Sequence, residues 1–253
     1  MCYMITLQKI VFLILHGALA FPPIHAAGIY NSKDFSKSIK LSNFAVSSYT
    51  MTLSAMLNSG HKTQQDPRED PKVLIISQPA TPGLSCLPGT EEEVKVIQKY
   101  MQPKHSCHLN HTKALIATVR SKMSKHEIVH LTCHGIQDLK NPLDSTFALY
   151  DGRLKLQDLM SLSLEKAELT FLSACQTAAG DENLPEEAVH LTAGMLAIGY
   201  LSVIATMWSI RDRDAPKVAN KVYESLLGHR GELETCNPRQ SAAYALHVAV
   251  EDL

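Results

Sequence analysis

The chain has 253 residues, of which 45% are hydrophobic and 19% charged. That is enough to close a full hydrophobic core as one large domain or two small ones, and it excludes intrinsic disorder and collagen-like repeats. Lysine plus arginine number 24 against 25 aspartates plus glutamates, so a strong field of either sign is excluded as the basis for holding a nucleic-acid backbone or an acidic membrane.

The N-terminus has an apolar run over residues 10–15, followed by Ala18-Leu19-Ala20. Two readings stand: a signal peptide with a small-residue cleavage site, or a buried strand. Lys9 is the only basic residue ahead of the run, and His16 and Gly17 end it early. It falls well short of the ~20 apolar residues that a membrane helix requires.

Farther along, short β-branched runs alternate with amphipathic stretches, the pattern of an α/β fold with a mostly parallel sheet. Strands are expected at residues 9–15, 44–49, 73–77, 127–133, 146–150, 169–173 and 202–207. A helix is expected to open at Thr90, where Glu91, Glu92 and Glu93 suit the positive end of the helix dipole. Another is expected to open at Thr112, with Leu115, Ile116 and Val119 on one face. Further helices are expected at residues 156–162, 186–198, 215–227 and 240–250. Residues 59–71 are polar with two prolines and read as a surface loop.

Two expected strands run straight into chemistry. Residues 127–133 lead into His134-Gly135, and residues 169–173 into Ala174-Cys175-Gln176-Thr177. The carboxyl ends of parallel strands are where ligands gather, so neighbouring strands would bring His134 and Cys175 side by side. An imidazole activates a thiol held a few ångströms away, and the N–H groups of Gly135 and Cys175 would then face a developing oxyanion. The alternative is a buried structural cysteine and a merely hydrogen-bonded histidine. By strand alternation His130 and Thr132 share a face with His134, whereas Cys133 points the other way into the core.

Six cysteines, at positions 2, 86, 107, 133, 175 and 236, are too sparse for a disulfide-stapled scaffold and read as mostly free thiols. Cys86 sits in a Gly/Pro loop with no activating neighbour. His105, Cys107, His108 and His111 carry zinc-type ligands but lack a second pair at recognised spacing; they read as exposed imidazoles leading into the Thr112 helix, with no metal. Phosphate-binding glycine loops are absent, and Trp208 alone makes no stacking platform for nucleic acid. No cofactor is expected.

H-L-T-C-H-G over residues 130–135 and L-S-A-C-Q-T-A over residues 172–178 resemble the paired signatures of the CHAT domain, a caspase- and separase-like cysteine peptidase module. L-P-G-T-E-E-E-V from Leu87 is similar to the family's helix-opening segment, and L-Y-D-G-R-L from Leu149 to the hairpin between the motifs. The segment from Gly199 to Ala215 resembles the strand and loop after the cysteine. H-G-A-L-A-F-P-P-I-H-A-A-G over residues 16–28 is similar to the strand and turn that begin CHAT domains, especially in fungal-type signalling proteins, which favours a core strand over a signal peptide.

The resemblance implies a caspase-like three-layer α/β fold spanning residues 1–253, clipped at both ends. It implies Cys175 as nucleophile and His134 as acid/base, with Asp212 pairing with a basic substrate side chain; Asp212 and Asp214 equally suit the start of the helix at Ala215. No third residue orienting the dyad is identifiable. The implied protein is a cytoplasmic endopeptidase acting on a polypeptide, the effector module of a larger signalling protein with fused or associated sensor or repeat domains. No nucleic-acid or membrane partner is implied. The alternative is a catalytically silent module that works by docking partners.

Overall fold

The computed structural model describes residues 9–14, 23–31, 33–34, 37–50, 70–138, 140–173, 187–206, 213–228 and 238–251, with backbone alone for 187–190 and 238–241. The chain divides into two compact units, Met1–His61 and Lys62–Leu253.

In the first unit β1 (Lys9–Leu13) pairs in parallel with β4 (Ala45–Tyr49), Lys9 opposite Ala45 and Leu13 opposite Tyr49. Between them in sequence, β2 (Gly28–Ile29) and β3 (Ile39–Lys40) form a short antiparallel pair. A side chain at Gly28 would meet the Ile39 carbonyl at 2.6 Å, so this close approach needs glycine. The apolar run is thus a strand, but it is not the core strand expected, because Val11 and Phe12 remain exposed.

The second unit holds five parallel strands in the order β12-β11-β7-β5-β6. They are β5 (Val73–Ser77), β6 (Ser106–Asn110), β7 (Ile128–Thr132), β11 (Leu169–Leu172) and β12 (Ser202–Ala205). Val-Leu-Ile-Ile-Ser is buried at every position of β5, as a strand covered on both faces must be. One face packs on α1 (Gly89–Gln98), α5 (Ala215–Tyr223) and α6 (Pro238–Glu251), through Ile75, Phe171, Val94, Ile97, Val222 and Ala245. The opposite face packs on α2 (Ile116–Met123), α3 (Leu156–Leu159) and α4 (Glu187–Ala197), through Leu74, Leu131, Leu172, Val119 and Met195. Each fully buried Leu or Ile contributes about 1.5–3 kcal/mol of hydrophobic stabilisation. The three layers are those expected.

A second sheet joins β8 (His134–Ile136), β9 (Thr146–Leu149) and β10 (Gly152–Lys155) in antiparallel order. The β9–β10 pair is the hairpin implied by L-Y-D-G-R-L. Of the expected 59–71 loop only Asp70 and Pro71 lie within the described residues.

Besides the short β2 and β3, two strands were not anticipated. β8 begins one residue after β7, so the two read as a single run in sequence. The sheet-edge strand β6, Ser-Cys-His-Leu-Asn, carries no β-branched residue and only one buried side chain. Among the described residues it pairs with β5 alone, and its polar, part-covered sequence shows no apolar alternation.

Candidate functional site

The order of the strands creates a crevice. From β5 the chain crosses by α1 to β6 on one side; from β7 it proceeds to β11 on the other. Connections diverge between β5 and β7, the switch point at which open α/β sheets bind ligands beyond the strands' carboxyl ends. The two strands stay tied there by the Gln78 N–H donating to the Thr132 carbonyl at 2.9 Å.

A loop over residues 78–88 rims this crevice. Thr81-Pro82-Gly83-Leu84 closes a type II turn, with the Leu84 N–H donating to the Thr81 carbonyl and Gly83 at φ +79°. Proline presets the second position of such a turn and glycine accepts the positive φ of the third. The loop is cinched by an Ala80–Cys86 bridge and by the Leu87 N–H donating to the Pro79 carbonyl at 2.8 Å.

His134 is 4% exposed and lies opposite Ala148 of β9. Its Nε2 is 2.8 Å from the carbonyl oxygen of Ser85. A carbonyl only accepts, so Nε2 carries the proton, and in the neutral ring Nδ1 is the basic nitrogen. This backbone carbonyl fixes the orientation of the ring, and sequence reasoning did not single out Ser85. Gly135, half-buried, continues β8 opposite Phe147. Cys175 and Asp212 lie outside the described residues. The strand preceding Cys175 is in place beside β7: β11 runs parallel to it, Leu172 opposite Leu131, and the Ser173 N–H donates to the Leu131 carbonyl at 2.9 Å.

Beneath the strand ends lies a buried polar cluster centred on Glu93 of α1, which is 1% exposed. Its Oε2 accepts from the Thr132 hydroxyl at 2.9 Å and from the Ser173 hydroxyl at 3.0 Å. Its Oε1 is 3.2 Å from Nε2 of His130, a close polar contact poorly aligned for a hydrogen bond. Nδ1 of His130 is 3.3 Å from the Tyr223 hydroxyl. Burial, reinforced by the charge of Glu93, pushes the Tyr223 phenol well above its usual pKa, so it stays protonated and can donate to that nitrogen.

The CHAT domain family model matches residues 6–252, nearly the whole chain. The chain belongs to the CHAT family. A CHAT domain is a caspase-like, peptidase-related module, and the five-stranded parallel sheet between helical layers is the matching architecture. A comparison with curated proteins finds no match for this CHAT chain. Among its described residues no helix is long and apolar enough to cross a membrane.

The histidine-rich segment of the CHAT chain departs from expectation. It does not lead exposed imidazoles into a helix at Thr112. Cys107 and His108 lie in β6, residues His111–Lys113 form a 3-10 turn, and α2 starts at Ile116, whose N–H donates to Asp151 Oδ1 at 2.9 Å. The imidazoles are separately engaged. His105 Nδ1 donates to the Asp70 carbonyl at 2.7 Å, His108 Nε2 contacts the Ser77 hydroxyl at 2.8 Å, and His111 packs edge-on against Tyr150. Burial and the nearby Lys113 charge lower the His108 pKa. Among the described residues no group of three or more His, Cys, Asp or Glu side chains is arranged to hold a metal ion. Cys133 is fully buried, as the strand alternation predicts, whereas Cys86 is exposed.

Proposed function

We propose that this CHAT domain is a caspase/separase-like cysteine endopeptidase that uses Cys175 as nucleophile and His134 as acid/base. The observation that carries the reading is the Ser85 carbonyl holding His134 Nε2–H at 2.8 Å, which leaves Nδ1 as the base at the switch point of the sheet. β11 runs beside β7, and Cys175 follows Ser173 by two residues, which limits their Cα separation to about 8 Å.

In this mechanism Nδ1 of His134 takes the thiol proton of Cys175 as Sγ bonds to the scissile carbonyl carbon. The N–H groups of Gly135 and Cys175 hold the resulting oxyanion. The tetrahedral species collapses with cleavage of the C–N bond, and the imidazolium returns its proton to the leaving amine. Water then adds to the thioester while His134 accepts its proton. Cleavage of the C–S bond, with the imidazolium returning that proton to Sγ, releases the new carboxylic acid and restores the Cys175 thiol. Asp212 pairs with a basic side chain preceding the cut. The domain serves as the effector of a larger cytoplasmic signalling protein whose sensor or repeat portions release its activity.

The deciding experiment is labelling with an electrophilic peptide probe, with the modified cysteine identified by mass spectrometry. Fast labelling confined to Cys175 and lost in His134→Ala supports the enzyme. Slow labelling indifferent to His134 overturns it in favour of a docking module.

A further inference from the structure

Glu93 occupies a position that stability alone does not explain. A carboxylate removed from water is expensive, and a well-packed apolar residue in its place is often as stable or more so. Here its bonds go to particular places. Thr132 is the last residue of β7, two before His134, and Ser173 directly follows β11, two before Cys175. The register that sets Leu172 opposite Leu131 sets Ser173 opposite Thr132. Oxygen Oε2 thus cross-ties this next pair, one step beyond the Leu172–Leu131 pair. His130, wedged between the Phe171 and Tyr223 rings at centroid distances of 4.7 and 5.7 Å, backs the carboxylate from the other side.

We propose that Glu93 is a positioning residue which, through the Thr132 and Ser173 hydroxyls, sets the separation of His134 and Cys175; the inference rests on the dyad reading above. Misplacing reacting groups by about 1 Å costs on the order of a hundredfold in rate, so a tie at the roots of both segments bears directly on the chemistry. Neither hydroxyl touches substrate or reacting atoms in this role.

The test uses the same peptide probe on Ser173→Ala, Thr132→Val and Glu93→Gln, with Ser173→Thr as the conservative control. Expected is a fall of about ten- to a hundredfold in the labelling rate at saturating probe, with the half-saturating probe concentration unchanged and the fold intact by circular dichroism. Ser173→Thr, which keeps a hydroxyl, should restore the rate. Should Glu93→Gln fail to fold, the two hydroxyl deletions decide. Wild-type rates in both deletions alongside slow His134→Ala overturn the positioning role and leave the dyad standing. Wild-type labelling no faster than His134→Ala removes the dyad reading itself, and the positioning role with it.

Discussion

Nε2 of His134 donates to the backbone carbonyl of Ser85, a residue 49 positions earlier, at 2.8 Å. A carbonyl in this role commits the imidazole to one tautomer without adding a second charge to the site. The contact is as reliable as the loop that presents it, and that loop turns on Gly83 at φ +79°.

Gly83→Ala meets no neighbouring atom within 4 Å, so its penalty is conformational. A left-handed backbone with a Cβ costs about 1–2 kcal/mol. Gly83→Ala should therefore lower stability by about that amount, read by urea unfolding, or relieve the strain by moving Ser85 and slow probe labelling. Ser85→Ala retains the carbonyl and should change labelling by less than about twofold. If Ser85→Ala proved as slow as His134→Ala, the hydroxyl rather than the carbonyl would be the working group.

The Glu93–His130 pair has a distinct stability signature. Deleting Glu93 leaves the buried Thr132 and Ser173 hydroxyls without their acceptor, and deleting His130 leaves the Tyr223 hydroxyl without its own, so Glu93→Ala or His130→Ala should each cost about 1–3 kcal/mol in denaturant titrations. The double variant Glu93→Leu with His130→Phe should recover much of that loss. Additive losses would show that the two side chains do not act as a unit.

Packing on the opposite face leaves no room for a side chain at Gly194 of α4. A Cβ there would meet Leu156 Cδ1 at 2.4 Å. Leu156 is 1% exposed and boxed into the core, so Gly194→Ala should cost about 1–3 kcal/mol as overpacking. Pairing it with Leu156→Val should return part of that loss. A thermal melt of Gly194→Ala indistinguishable from wild type would disprove the close packing.

Stability should fall as the solution is acidified below pH 6.5. Burial lowers the pKa of His108 from its usual 6.5, Lys113 adding to the shift, and burial lowers those of His126 and His25 as well. The unfolded chain then binds protons before the folded one does. The contribution is complete above 6.5 and is lost as pH drops through the folded-state values. Urea midpoints at pH 7 and pH 5 should differ in that sense, and His108→Gln should reduce the difference. A midpoint that rose on acidification would contradict the sign.

Much of the central sheet was legible residue by residue. Residues 73–77 match β5, and the expected strands at 127–133, 169–173 and 202–207 contain β7, β11 and β12. Apolar, β-branched runs covered on both faces announce themselves. The edge strand β6 did not, since Ser-Cys-His-Leu-Asn holds no β-branched residue and is only partly covered, whereas the other edge strand, β12, is Ser-Val-Ile-Ala. Glu93 was legible only as a carboxylate suited to a helix start; nothing in E-E-E-V tells which of three neighbouring glutamates turns inward. Ser85 left no signal, because every residue has a carbonyl.

Composition and local pattern were sufficient for the α/β class, and the His134 and Cys175 motifs for the CHAT resemblance, since both depend on residues close together in the chain. The strand order β12-β11-β7-β5-β6, the switch point, the grip of Ser85 on His134 and the Glu93 tie came from the folded molecule. These bring together groups 49 positions apart for Ser85 and His134, and 39 and 80 apart for Glu93 with Thr132 and Ser173. Such contacts are set by how layers pack and which strands become neighbours, and local pattern carries no term for either.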